Sequence, residues 1–265
     1  MFILLLFRKD VTVLRILLIR HAEPDYSIDS LTPKGHIEAE LLSRRLQSYS
    51  IRDFYQSPLG RARDTASYTL ARLGRSAETL PWLHEFSGTY PDPETGHPRI
   101  VAWDVKPRIW SCFPGAFDIH TWFNAPAFNG GTVQKVWKQT TDGVDELLAR
   151  YGLFKDGPIW HCPESHDFTL ALFCHFGISM AVLGYLTDVS PLVLWHRTIC
   201  LPSSVTEVVT EERIKGEVSF RVTKLGDLTH LEAAGEKRST AGMFPECWTG
   251  IDSTDPAING TLDRE

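Results

Sequence analysis

Apolar residues in this chain alternate between short unbroken runs and stretches where they recur every three or four positions, which predicts strands separated by helices. Leu14 to Ile19 is the first run, apolar enough to be covered on both faces, as a strand in a parallel sheet is. A loop through Pro24 and Asp25 ends at Thr32, which reads as an N-cap with Pro33 at the first helical position and Ile37 to Leu46 as the helix body. Ile51 to Gln56 is a second strand, and Ser57 opens a turn into a helix carrying Arg61, Thr65 and Ala66. Thr132 to Tyr151 reads as one amphipathic helix with Val133, Val136, Trp137, Val144, Leu147 and Leu148 on its buried face, weakened in the middle by Gly143. Thr169 to Cys174 is a third strand, and Gly177 to Leu186 is the helix after it. Val205 to Val209 and Val218 to Val222 predict a hairpin about a charged turn from Glu211 to Gly216.

Between Gly88 and Gly131 this periodicity fails. The segment is dense in proline, glycine and aromatics, with Trp103, Trp110, Phe113, Phe117, Trp122, Phe123 and Phe128 at neither helical nor strand spacing. Loops of that length without their own elements serve as lids or binding segments, and the rings either line a ligand site or pack a small core of the insertion. The expected organisation is an N-terminal extension over residues 1–12, one domain over 13–235 with a lid at about 87–131, and a tail over 236–265 that hugs the surface.

Composition narrows the function more than the fold. With 265 residues, 43% of them hydrophobic, the chain can bury a substantial core. A net charge of -6 argues against general affinity for nucleic acid or anionic membrane, so a bound anion is held by a few placed cations. The apolar start from Met1 to Phe7 is much shorter than a membrane span and is stopped by Arg8-Lys9-Asp10. Its charge order is also the reverse of a secretory signal. The five cysteines lack the spacing of a disulfide framework or a zinc site, which points to a reducing, cytoplasmic setting, and Cys174 reads as a buried strand residue rather than a nucleophile. His161, His166, His196 and His230 are scattered without a ligand spacing, so no metal and no cofactor are expected. The oligomeric state is left open.

The chemistry gathers at strand ends. Leu18-Ile19-Arg20-His21 puts a guanidinium and an imidazole where an open α/β sheet presents its crevice, a pairing suited to holding a phosphate while a nitrogen attacks phosphorus. Alone, such a pair fits a solvent-facing strand end better. It is accompanied by Leu31-Thr32-Pro33-Lys34-Gly35-His36-Ile37-Glu38-Ala39, by the stretch Ser57 to Ala66 that includes Arg61-Ala62 and Thr65-Ala66, by Cys174-His175, and by Pro202-Ser203-Ser204-Val205-Thr206. In that order these motifs resemble the histidine phosphatase superfamily, also called phosphoglycerate mutase-like, from about Val13 to Leu231. Its Arg-His-Gly is Arg20-His21-Ala22 here, its Leu-Thr-x-x-Gly-x-x-Gln-Ala helix start is Leu31 to Ala39, and Phe176 intervenes before the glycine that usually follows its second histidine.

The resemblance implies a three-layer α/β/α sandwich with a mostly parallel central sheet and the lid inserted between the second and third core strands. It implies a phosphatase in which Arg20 and Arg61 grip the phosphoryl group, His21 forms a phosphohistidine that water hydrolyses, and His175 is a second donor to the phosphate. Without the other motifs, His175 would read as a satisfied core histidine. Glu85, in Leu83-His84-Glu85-Phe86-Ser87-Gly88, is the candidate proton donor, with His84 and Asp104 in reserve and Glu23 read as a loop-orienting carboxylate. Ser27, Ser30 or Thr32 are candidate additions to the phosphate grip. The partner is a small phosphorylated substrate, and the insertion's three cations, Arg99, Lys106 and Arg108, against seven large aromatics favour hydrolysis of a monoester with an apolar or ring-bearing body. A phosphoglycerate mutase-type phosphotransferase and a non-catalytic phospho-ligand binding module are the alternatives.

Overall fold

The structure, a computed structural model, describes residues 14–164 and 166–243. The expected extension over 1–12 and the tail beyond residue 243 lie outside the described residues. The chain begins with β1 (Leu14–Arg20), the short strands β2 (Pro24–Asp25) and β3 (Ser30–Leu31), α1 (Pro33–Leu46), β4 (Ile51–Gln56), α2 (Gly60–Leu73) and β5 (Glu78–Thr79). The aromatic segment holds β6 (Thr89–Tyr90), β7 (Ile100–Val101) and α3 (Pro107–Trp110). After it come α4 (Val133–Ala149), β8 (Phe154–Asp156), β9 (Ile159–His161), β10 (Phe168–Cys174), α5 (Phe176–Thr187), α6 (Pro191–Arg197), β11 (Val205–Ile214), β12 (Glu217–Asp227) and α7 (Thr229–Glu232).

Eight strands form one sheet in the order β5-β4-β10-β1-β11-β12-β9-β8. The β5, β4, β10 and β1 half is parallel, and the strands beyond β1 add on antiparallel. Alternation along β1 and β10 divides the core between the two faces. Leu17, Ile19, Ala171 and Phe173 face Leu42, Leu46 and Ala66 of α1 and α2. Ile16, Leu18, Leu170 and Leu172 face α4, α5 and the rings of the insertion. The result is the expected α/β architecture with helices on both faces and a mixed outer sheet.

Local physics explains most boundaries. The Thr32 hydroxyl accepts from Gly35 N at 3.0 Å and so caps α1. Gly35 lies so close to the β1–β2 loop that a Cβ would sit 2.2 Å from Glu23 O. Gly143 is likewise required, because a Cβ there would meet Trp82 Cγ at 2.4 Å; this glycine lets the helix approach an indole. The turn expected over Glu211 to Gly216 is corrected: pairing continues through Glu211, Glu212 and Ile214, and Lys215-Gly216 alone reverses the chain, with Gly216 at φ +82°. The β8–β9 hairpin was not foreseen, since three-residue strands carry too little pattern.

Beside β6, β7 and α3, the insertion holds a series of short 3-10 turns rather than an open loop. Its turns at Pro114–Phe117 and Pro126–Phe128 start on proline, and the Trp122–Asn124 turn lies between them. Trp110 and Trp122 are completely buried, and the Trp122 ring meets Trp137 and Trp195 edge-on at 5.2 and 5.4 Å. These rings join the core shared with α4 and α6 rather than a small core of their own. Among the described residues no helix is long and apolar enough to cross a membrane.

Candidate active site

Strand register assembles the site. β1 and β10 pair in parallel with Arg20 opposite Cys174, so the next residue of each strand is a histidine; the His21 and His175 ring centroids lie 5.1 Å apart. β10 and β4 pair with Phe173 opposite Gln56, which brings Ser57 to the same level, and Ser57 Oγ lies 2.8 Å from His175 Nε2. Backbone bonds fix the level of His21 from two sides: its N–H donates to Cys174 O at 2.9 Å and its carbonyl accepts from Ser203 N at 2.9 Å. Arg20 N donates to Ser204 O at 3.0 Å, so the Pro202–Ser204 segment holds both members of the pair.

The two imidazoles are set up differently. His21 Nδ1 donates to Ala22 O at 2.8 Å, which leaves the lone pair of the neutral ring at Nε2. Burial holds the His21 pKa well below its ordinary value, and the Arg20 and Arg61 charges act in the same direction. His175 is also held well below the ordinary value, first by burial and then by Arg61, His21, Arg20 and His84. Ser57 Oγ accepts from Leu59 N at 3.2 Å and lies 2.8 Å from His175 Nε2; when the hydroxyl donates to Nε2, the ring proton is on Nδ1. That Nδ1 is buried without a protein partner.

Arg20 and Arg61 are both 8% exposed. Arg20 Nη1 donates to Cys200 O at 2.6 Å, and its guanidinium lies 5.9 Å from the centroid of the Phe176 ring. Arg61, in the first turn of α2, donates from Nη1 to Asp29 Oδ1 at 2.6 Å and stacks near Tyr26. The other Asp29 oxygen accepts from Gly60 N at 2.6 Å, so one carboxylate both holds the arginine and receives the start of α2. The Nε atoms of both arginines are buried without a partner.

Glu85 is half-buried and sits at the start of α5, where its Oε1 accepts from Phe86 N at 2.7 Å and Ile178 N at 3.0 Å. A Cβ on Gly177 would lie 2.7 Å from that oxygen and 2.7 Å from Trp103 Cδ1, so the glycine one residue later than expected is what admits both side chains. His84 Nδ1 is 2.5 Å from Glu85 O. Asp104 is buried in the 102–104 turn near Tyr90, whose phenol is pushed up first by burial and then by Asp92, Asp104 and Glu94. Glu23 Oε1 accepts from the Thr32 hydroxyl at 2.8 Å. The hydroxyls considered for the phosphate grip are committed elsewhere, Ser27 to Asp25 and Ser30 to Asp64, both at 2.5 Å. Ser57 joins the site instead; its signal in the sequence was its position directly after a strand, shared with His21 and His175. Asp29 carried no such signal, because it meets Arg61 only through tertiary structure.

Beside Arg20 opens a cavity of about 220 Å³ walled by Trp103, Phe176, Trp195, His196, Ile199 and Met243. Of the seven aromatics of the insertion only Trp103 lines it, and Phe176 and Trp195 come from α5 and α6. Gly242 and Met243 close one side, with Gly242 against the Arg20 guanidinium. Lys106 and Arg108 pair with Glu94 at 3.2 and 2.6 Å, outside this lining. A larger recess of about 480 Å³ between Arg52, Arg150, Glu164 and His166 contains none of the strand-end residues. Burial pushes the Cys174 thiol up to about 12, which makes it inert as a nucleophile. Among the described residues no group of three or more His, Cys, Asp or Glu is placed to hold a metal ion.

The sequence model of the histidine phosphatase superfamily (branch 1) matches residues 16–222. No curated protein matches the sequence. Among solved structures, a mutant of phosphoserine phosphatase from Entamoeba histolytica, in complex with phosphoserine, is similar with a TM-score of 0.55 and 16% identity, covering 82% of this chain and 99% of that one. Mycobacterial glucosyl-3-phosphoglycerate phosphatase is similar with a TM-score of 0.54 and 21% identity, covering 81% of this chain and 99% of that one. At these identities the likeness is one of fold.

Proposed function

The chain belongs to the histidine phosphatase superfamily, and from that premise we propose that it hydrolyses a phosphate monoester through a phosphohistidine on His21. The observation that carries the reading is the convergence of two neutral imidazoles, 5.1 Å apart, with two buried guanidinium groups. Nε of Arg20 and Arg61 are buried donors without protein partners, and so is Nδ1 of His175 in the tautomer protonated there, an arrangement that an oxyanion accepting from them relieves. Arg20 and Arg61, the latter held by Asp29, supply the positive charge opposite the phosphate, and this scheme routes no step through a metal ion.

The lone pair on His21 Nε2 attacks phosphorus while the ester P–O bond breaks, and the Ala22 carbonyl receives the charge that develops on the ring through Nδ1–H. Arg20, Arg61 and His175 donate to the non-bridging oxygens as their charge redistributes. Glu85, with Oε1 tied to two backbone N–H groups, uses Oε2 to give a proton to the leaving oxygen. In the second half it takes that proton back from water as the water attacks phosphorus and the P–N bond breaks, releasing inorganic phosphate.

The body of the ester lies in the cavity beside Arg20. Its walls are mainly rings and aliphatic groups, with Thr198 and Arg20 among the polar ones, and Lys106 and Arg108 lie outside it, which favours hydrolysis of an apolar or ring-bearing phosphate over a mutase that must hold a second anionic group. Residues 87–131 supply the Trp103 wall. Free thiols at Cys112, Cys162, Cys174 and Cys200 support a reducing, cytoplasmic setting. The test is hydrolysis of p-nitrophenyl phosphate with a chelator present, comparing the wild type with His21→Ala. Turnover lost in a folded variant supports the reading, and no turnover by the wild type with phosphate still bound favours a binding module. With 3-phosphoglycerate, free phosphate as the product identifies a phosphatase and 2-phosphoglycerate a mutase.

A further inference from the structure

The Ala22–Glu23 peptide group is held at both ends by side chains. Its carbonyl accepts from His21 Nδ1 at 2.8 Å, and its N–H, which belongs to Glu23, donates to Glu38 Oε2 at 2.8 Å. Glu38 projects from the middle of α1 and is fully buried, and its second oxygen, Oε1, has no partner. We propose that Glu38 is a positioning residue which, resting on the assignment of His21 as nucleophile, tunes that nucleophile through this single peptide group.

The reasoning is electrostatic. When Nε2 bonds to phosphorus the imidazole gains positive charge, and the hydrogen bond from Nδ1 to the Ala22 carbonyl strengthens. A carboxylate accepting the N–H of the same peptide draws its electrons toward the carbonyl oxygen and makes that oxygen a better acceptor. Ionised Glu38 therefore favours attack by His21, and protonated Glu38 keeps the hydrogen bond at Oε2 but withdraws the charge. A glutamine here, as in the motif this chain resembles, keeps an acceptor oxygen without a charge.

The charge is also placed to titrate. The charged groups facing Glu38 are Glu23 on the β1–β2 loop, Lys34 one turn earlier on α1 and Glu236 beyond α7, and Lys34 is itself paired with Glu236 at 3.3 Å. Burial, with Glu23 and Glu236 adding to it against Lys34 and the Glu23 N–H bond, raises the Glu38 carboxyl to about 7. The neutral form of Glu38 therefore persists well above the range of an ordinary glutamate.

Two measurements on the full chain separate this link from the function it serves. In the first, the His21 ring nitrogens are followed by 15N NMR from pH 5.5 to 8.5. The wild type is expected to show a step with its midpoint near that of Glu38, and Glu38→Gln none; a wild-type ring that ignores pH over this range, or a step that survives in Glu38→Gln, overturns the link whether or not the protein is a phosphatase. In the second, single-turnover formation of the phosphoenzyme from p-nitrophenyl phosphate is timed. The rate constant is expected to rise about tenfold with pH in the wild type and to stay at the acid-limb level in Glu38→Gln, with KM unchanged. A Glu38→Gln profile that overlays the wild type also overturns it, because a merely structural acceptor would be replaced fully by the amide. Absence of wild-type turnover with the NMR step intact counts against the phosphatase reading and leaves the Glu38 link supported.

Discussion

Glu38→Gln has a consequence for folding that can be read without any substrate. The Glu38 carboxyl titrates near 4.5 when exposed and at about 7 when folded, because burial disfavours its charged form. A carboxyl raised in this way folds without penalty below pH 4.5, where it is neutral in both states. The unfolded chain then loses its proton first, so stability falls as pH rises from about 4.5 to 7 and levels off above. A displacement of about 2.5 pH units at about 1.4 kcal/mol each corresponds to about 3 kcal/mol. Glutamine has no proton to lose, and its amide replaces Oε1 with a buried N–H donor, a cost that does not depend on pH. The assay is urea unfolding of both proteins at several values between pH 4.5 and 8.5. The difference in unfolding free energy is expected to move toward the variant by about 3 kcal/mol between the acid end and pH 8, most of it between 5 and 7. A difference that stays flat across that range would mean that Glu38 is charged throughout, and the reasoning would fail.

Ser57→Ala removes the partner of His175 Nε2 and leaves the ring free to place its proton on either nitrogen; kcat for p-nitrophenyl phosphate is expected to fall by about tenfold or more at unchanged fold, and full activity would exclude Ser57 from setting the tautomer. Glu85→Gln is expected to slow alkyl phosphates, whose leaving oxygen needs a proton, by at least about a hundredfold and p-nitrophenyl phosphate far less; equal losses on both would count against Glu85 as proton donor. Gly177→Ala places a methyl 2.7 Å from Glu85 Oε1 and is expected to reproduce that leaving-group bias in weaker form, read from the same pair of substrates.

What the sequence made legible follows from where the information resides. β1 and β10 stand out because strands covered on both faces are almost purely apolar, β4 shows itself only by Ile51 and the Phe54-Tyr55 pair, and the residues that follow the three strands, His21, Ser57 and His175, are then neighbours by register alone. α1 declared itself through Thr32 and Pro33. The charged end of the β11–β12 hairpin was misread as a turn because its β11 side, Glu212 to Ile214, is exposed and shows no alternation, although Val218 opposite Glu212 is buried and paired with β9. The insertion resisted reading for the opposite reason: 3-10 turns have no amphipathic period, and Trp110 and Trp122 are buried by contacts with α6 and α4 that lie far away in sequence. The same holds for Asp29 on Arg61 and for Glu38 behind His21, whose roles depend on tertiary approach rather than spacing.

The central claim is that His21 Nε2 takes the phosphoryl group. Brief mixing with a 32P-labelled monoester, an alkaline quench that preserves phosphohistidine, and peptide mapping by mass spectrometry test it most directly. The label is expected on the peptide containing His21, and none is expected in His21→Ala. Label on His175, or full hydrolysis with oxygen exchange showing direct attack by water and no labelled protein, would contradict the account.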